Sequence, residues 1–208
     1  MQRPILFSGP MVRAILDGRK TQTRRVLKSV GDMDRVFQMD DGSWHVTDSK
    51  GGHMSPVTIP YPVGTELWVR EGFATVSFGG AVTDGIYYQA DVDGTHRFLT
   101  REGTWETHKD GQFHRRPDKW KPSIHMPRWA SRITLRVTAV KVERLQDISE
   151  EDAKAEGVTL SPERENRRRW QHPYGYQFQE LWTSINGPGS WDANPWVVAY
   201  SFERVLPK

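Results

Sequence analysis

The sequence predicts an α+β domain built on a mainly antiparallel sheet that curls toward a barrel. Three observations carry this: alternating strand-like runs at 65–70 and 133–142, a closing strand-like run at 196–205, and short helical patterns before and between them. The 208 residues are 36% hydrophobic and include 9 Trp, 8 Phe and 6 Tyr, enough for the core of a single domain spanning 1–208.

The first element is a short helix. Met11, Val12, Ile15 and Leu16 recur at helical spacing behind Pro10, and Gly18 stands where a left-handed helix cap is expected. Residues 19–25 read as a dense polar turn leading into Val26 and Leu27. From 28 to 62 the chain is rich in Gly, Asp and Ser and reads as a surface excursion with one short hairpin at Asp41-Gly42. Residues 65–70 form a strand with Leu67 and Val69 on one face, and 87–90 form another. Turn signals at Asp93-Gly94 and Asp110-Gly111 mark 92–116 as loop and irregular hairpin.

The clearest strand is 133–142. Ile133, Leu135, Val137 and Ala139 alternate, and then Val140 and Val142 continue on the opposite phase, the mark of a bulge or bend. Ser149 before Glu150, Glu151 and Asp152 gives a capped, acid-first helix ending at Gly157. Phe178, Leu181, Trp182 and Ile185 form one apolar stripe of a helix that stops at Asn186-Gly187-Pro188.

Composition excludes several classes of function. Cysteine is absent, which removes disulfides, thiolate metal sites and a cysteine nucleophile. The 7 histidines show no His-x-x-x-His or His-x-His spacing beside a carboxylate, so neither metal nor cofactor is expected. No phosphate-binding loop, dinucleotide fingerprint or nucleophile elbow occurs. No apolar run approaches the ~20 residues of a membrane span, and the N-terminal apolar stretch is too short for a signal peptide; the expectation is a cytoplasmic protein without a membrane partner. A net charge of +3 permits nucleic acid without demanding it.

What remains is the run after the first helix, where Gly18, Lys20, Thr23 and Arg25 make G-x-K-x-x-T-x-R. A Lys and a Thr three apart place an amine near a hydroxyl, and a partly buried, neutral lysine can take the hydroxyl's proton. The pattern resembles the signature of the ASCH domain, a relative of the PUA-like β-barrels, with Thr23 at a position more often acidic. The strand from Ile133, the segment 145–153 with Glu156, and the closing strand are also similar to that family. The resemblance covers about half the chain, leaving 28–62 and 75–131 as insertions. It implies a PUA-like curled sheet or barrel with short helices and long insertions.

Within the family, the run Gly18-Arg19-Lys20-Thr21-x-Thr23-x-Arg25 is similar to small bacterial N4-acetylcytidine amidohydrolases, and the overall length to phage and prophage ASCH proteins. The resemblance implies a catalytic set of Lys20, Thr23 and Glu156, with Arg25 on the substrate. The expected chemistry is metal-free hydrolysis of the N4-acyl group of a cytosine nucleoside, with Thr23 attacking or Lys20 activating water. Trp68, Phe73 and Trp129 are candidate walls for the base.

The second reading is a non-catalytic module for RNA or a modified nucleotide, and the third a ribonuclease. From His114 to Arg132, 6 Lys/Arg stand against 1 acid with two tryptophans, the composition of a groove where bases stack and phosphates pair; Arg115, Arg116, Lys119 and Lys121 are its candidate contacts. Arg164, Arg167, Arg168 and Arg169, offset by Glu163 and Glu165, read as a solvated cluster.

Overall fold

The structure, a computed structural model, describes residues 2–28, 35–48, 54–76, 85–91, 97–100, 105–107, 119–160 and 172–206. The described residues form a mixed α+β protein, with most elements strands in open sheets and few helices. Contacts divide the chain into two compact units: Met1–Asp17, Glu66–Arg136 and Arg204–Lys208 in the first, Gly18–Thr65 and Val137–Glu203 in the second.

In the first unit, β1 (Arg3–Leu6) runs parallel to β6 (Glu66–Arg70), and β6 pairs antiparallel with residues 134–136 of β11 (Thr134–Arg144). The inward positions Ile5, Leu67, Val69, Ile133 and Leu135 are all buried, as strict alternation requires. Helix α1 (Gly9–Leu16) starts with Pro10 in its first turn and buries Val12, Ala14 and Ile15; Gly18, at φ 74°, follows its end. A second sheet has the order β10 (Trp105–Thr107), β9 (Arg97–Thr100), β8 (Gly85–Tyr88), β7 (Phe73–Val76), with antiparallel pairing throughout. The antiparallel pair β9 and β10 lies within the stretch expected as loop and irregular hairpin; the two Asp-Gly turns there fall outside the described residues. The strand expected at 87–90 sits two residues earlier.

The second unit holds β2 (Gln22–Val26), β12 (Trp196–Val205) and the remainder of β11, with β12 between the other two. Its other sheet is the antiparallel meander β3 (Arg35–Gln38), β4 (Trp44–Thr47), β5 (Met54–Val57). The excursion at 28–62 is therefore more than the single hairpin expected. Its first turn does lie at Asp41-Gly42, with Gly42 at φ 83°.

Helix α2 (Glu150–Ala155) and helix α3 (Pro173–Asn186) pack together over a core of Leu145, Ala153, Phe178, Trp182 and Val197. The predicted stripe of α3 is buried at Phe178 and Trp182, but Ile185 is 52% exposed. Six residues of α2 rise only about 9 Å, too short to cover the last turn of a helix spanning about 21 Å.

Candidate functional site

The polar turn expected over 19–25 is in large part a strand. Residues 22–26 form β2, paired antiparallel to β12 with Gln22 opposite Ser201, Thr23 opposite Tyr200, Arg24 opposite Ala199 and Arg25 opposite Val198. Residues directly opposite share a face. Thr23, Arg25 and Tyr200 therefore project on one side of this pair, and Gln22, Arg24 and Ser201 on the other.

On the Arg24 side the chain has buried a guanidinium and supplied it with acids. Arg24 Nη2 and Nε donate to Glu143 Oε1 at 2.6 and 3.1 Å, Nη2 also donates to Asp152 Oδ2 at 2.9 Å, and Nη1 donates to Glu156 Oε1 at 3.3 Å. Gln22 accepts from Nη1 and donates to Asp152 Oδ1 and Ser201 Oγ, so the neighbouring amide is also engaged. The guanidinium carbon lies 5.9 Å from the ring centroid of Phe178.

Lys20 reaches one of these acids, Glu156, from the chain just before β2. Thr21 N donates to Ala155 O at 2.9 Å, and Lys20 makes an isolated antiparallel bridge with Glu156. The Lys20 ammonium donates to Glu156 Oε2 at 2.6 Å and to the Glu156 carbonyl at 2.8 Å. Helix α2 sets the position of that carboxylate. Ser149 caps it by accepting from Asp152 N, and Gly157, at φ 84°, follows Glu156 at the helix end.

Lys20, Thr23 and Glu156 are exposed by only 2%, 3% and 3%. Lys20 and Thr23 were expected on a polar turn open to a cleft, and Glu156 at the end of the short helix after the long strand. They are buried instead, because pairing with β12 covers Thr23 and because the acids of α2 and β11 compensate the cations that burial would otherwise leave bare. Burial pulls the Lys20 ammonium below the ordinary lysine range; Glu156 opposes this, while Arg25 and Arg24 reinforce it. Arg25 is likewise lowered by burial and supported by Glu156, Tyr61 and Tyr200.

The other face carries aromatics that sequence reasoning missed. Tyr61 meets Tyr200 edge-on, with centroids 5.3 Å apart. Burial pushes the Tyr200 hydroxyl up to about 12, against the Tyr61 backbone and the charge of Arg25. Tyr200 was legible only through its register opposite Thr23.

Glu143 was missed too, although it left a signal. The buried positions of β11 fall on odd numbers, at 135 and 137, and Glu143 returns to that phase, 5% exposed. A carboxylate at a core phase demands a buried cationic partner. Asp152 was noticed only as a first-turn acid.

The remaining candidates lie in the first unit. Phe73 is a core residue, 2% exposed, packed with Ile86, Tyr88, Met126 and Ala130, so it offers no open wall. Trp68 is half-buried, with the Arg70 and Arg128 guanidiniums 5.0 and 5.8 Å from its ring centroid, and Trp129 is 40% exposed. Lys119 and Lys121 are exposed; Lys121 bridges Phe73 through the backbone and donates to Thr75 Oγ1. Arg115, Arg116 and the 164–169 arginines fall outside the described residues.

Elsewhere in the second unit a cavity of about 310 Å³ opens at the start of α3 beside Glu150, Tyr176, Gln179 and Trp191, and none of the charged cluster lines it. Among the described residues, no three His, Asp or Glu come together to hold a metal ion, and no helix is long and apolar enough to cross a membrane.

Comparison with family models, curated proteins and solved structures returned no match. The functional reading therefore rests on the site itself and on the motif that led to it.

Proposed function

We propose that this chain is an ASCH-like protein of the PUA-like class that hydrolyses the N4-acyl amide of N4-acetylcytidine or a related acylated cytosine nucleoside. The observation that carries the reading is the buried contact of Lys20 Nζ with the Glu156 carboxylate at 2.6 Å, three residues before a buried threonine. Two segments 136 positions apart supply that pair. An amine that is desolvated yet tied to one carboxylate is a group whose proton can be moved.

The reaction requires Lys20, in its neutral form, to reach Thr23 Oγ1 and take its proton as that oxygen bonds to the acyl carbon. The carbon–N4 bond then breaks, and the leaving amine takes the proton from Lys20 while Glu156 balances the charge. Water hydrolyses the resulting ester and restores Thr23. In the variant scheme Lys20 activates water directly and Thr23 donates a hydrogen bond. Proton transfer of this kind is worth roughly 10²–10⁴ in rate. Arg25 and Tyr61, half-buried on the face that Thr23 and Tyr200 share, mark the side of approach.

The test is to incubate the protein with N4-acetylcytidine and follow cytidine release by chromatography. Release that is lost in Lys20→Met supports the reading; no release by the parent protein at any pH ends it. Retained release in Thr23→Ala selects the water scheme.

A second reading, RNA binding, is favoured by Trp68 in the first unit. Its flanking arginines hydrogen-bond to uncharged oxygens, Arg70 to the Met126 carbonyl and Arg128 to the Gln2 amide, which leaves their charge available to phosphate. RNA affinity that falls with salt by about 0.7 log–log per phosphate contacted, and that weakens in Arg128→Ala, supports it.

A further inference from the structure

We propose that Arg24 is the positioning residue that frees Lys20 to act as a base, by holding the Glu156 carboxylate from the side opposite the amine. The proposal rests on the hydrolase reading of the same site.

A lysine 2.6 Å from a buried carboxylate would ordinarily keep its proton, since losing it leaves an uncompensated buried charge. Here Glu156 has a second cation. Lys20 holds Oε2, and Arg24 Nη1 reaches Oε1 at 3.3 Å. Glu156 therefore keeps a cationic partner when Lys20 becomes neutral.

The charge count around Lys20 points the same way. Asp152 comes from α2, Glu156 is the residue that caps its C-terminal end, and Glu143 comes from β11, making three carboxylates. Against them stand Arg24 and Arg25 of β2 and Lys141 of β11, whose ammonium lies 2.6 Å from Glu143 Oε2. Tyr61 and Tyr200 flank Arg25, and the exposed Arg19 donates to the Gly157 carbonyl beside Glu156. Without Lys20 the three cations already match the three carboxylates, so the proton on Lys20 is the surplus one. Removing Arg24 would make that proton necessary. Removing Glu143 would make it more superfluous.

The test titrates Lys20 through its ε-carbon by NMR in the parent protein, Arg24→Gln, Glu143→Gln, the double variant and Arg24→Lys. The pH dependence of N4-acetylcytidine hydrolysis is measured beside it. In Arg24→Gln the Lys20 midpoint should move up and the neutral-pH rate fall about tenfold, the effect of one nearby charge. In Glu143→Gln the midpoint should move down. The double variant, balanced again, should titrate nearer to the parent than Arg24→Gln does, and Arg24→Lys, which keeps the charge, should leave the midpoint in place while weakening the fold.

A purely structural arginine would predict a double variant worse than either single one and no opposed shifts. The proposal is overturned by a folded Glu143→Gln protein whose Lys20 titrates as in the parent, or by shifts of the same sign in both single variants. If Arg24→Gln does not fold, Glu143→Gln and Arg24→Lys still decide. Opposed shifts in a parent that releases no cytidine would refute the hydrolase reading but keep Arg24 as the residue that sets the charge of Lys20.

Discussion

Each unit of the molecule buries an arginine among carboxylates, and the two clusters are built to different ends. In the first unit Arg132 donates through Nε and Nη2 to the two oxygens of Glu71, at 2.9 and 3.0 Å, and through Nη1 to Asp91 at 2.8 Å. Its guanidinium carbon sits 4.0 Å from the ring centroid of Tyr88. One cation thus satisfies two acids in the fork geometry that suits a carboxylate. In the second unit Arg24 serves three carboxylates, and one of these, Glu156, is shared with a lysine. Arginine cannot give up its proton at working pH, whereas a desolvated lysine can. The first cluster is a clamp, and the second contains a group able to exchange a proton.

The largest expected difference between them is in the proposed hydrolysis. Lys20→Met keeps the length of the side chain and removes the amine, and it should lower hydrolysis of N4-acetylcytidine by about 10²–10⁴. Steady-state rates in a variant shown to be folded by circular dichroism would check this. A rate equal to that of the parent would make the second cluster a clamp like the first.

The reciprocal change should act on stability alone. Arg132→Met strands Glu71, 1% exposed, in the interior beside Tyr88, and breaking one side of such a buried pair costs about 3–5 kcal/mol. Urea denaturation would show the loss, while kcat/KM of the folded fraction should stay within about twofold, the result for a residue that makes no transition-state contact. A large fall in kcat/KM would give the first cluster a role in the reaction.

The pH dependence of stability should carry opposite signs in the two clusters. Burial raises Glu71 above the ordinary carboxylate range despite Arg132. The folded protein then binds more protons than the unfolded chain just above that range, so stability falls as pH rises through it. Burial lowers Lys20. The folded protein then binds fewer protons just below the ordinary lysine range, and stability rises as pH rises there. Each slope is at most about 1.4 kcal/mol per pH unit for one proton. Melting temperatures of Glu71→Gln and Lys20→Met against the parent across pH would show the two slopes vanish separately; slopes unchanged in both variants would assign the titrations to other groups.

Legibility in the sequence follows the same division. Elements that bury apolar side chains were readable from periodicity: the strand at 65–70, the closing strand at 196–205 and the helix ending at Gly187 all appear within a few residues of expectation. The segment 22–26, QTRRV, was not readable as a strand, because its buried positions are Thr23 and Arg24. Only the partners at 143, 152 and 156, more than a hundred residues away, make such a segment buriable. Lys20 and Glu156 were singled out through a motif, and the sequence had no means of showing Arg24 between them. β9 and β10 were readable only as an irregular hairpin: four and three residues long, they show no sustained alternation, and pairing within one sheet decides their conformation.

The smallest effect tests whether the second cluster depends on how α2 is held. Ser149 Oγ accepts from Asp152 N at 3.1 Å, fixing the first turn of a helix only six residues long whose far end presents Glu156. Ser149→Ala should cost about 1 kcal/mol, the usual price of a lost N-cap. A helix this short has little cooperativity of its own and relies on packing, so fraying from its start reaches Asp152 and then Glu156 within about two turns. The first cluster shares no residue with α2 and provides the internal control. Amide exchange should therefore quicken at Asp152 through Glu156 while Arg132 and its neighbours keep their protection, and hydrolysis should fall in step with the loss of order at Glu156. Equal loss of protection in both clusters would mean that the cap stabilises the chain as a whole and has no particular hold on the lysine's partner.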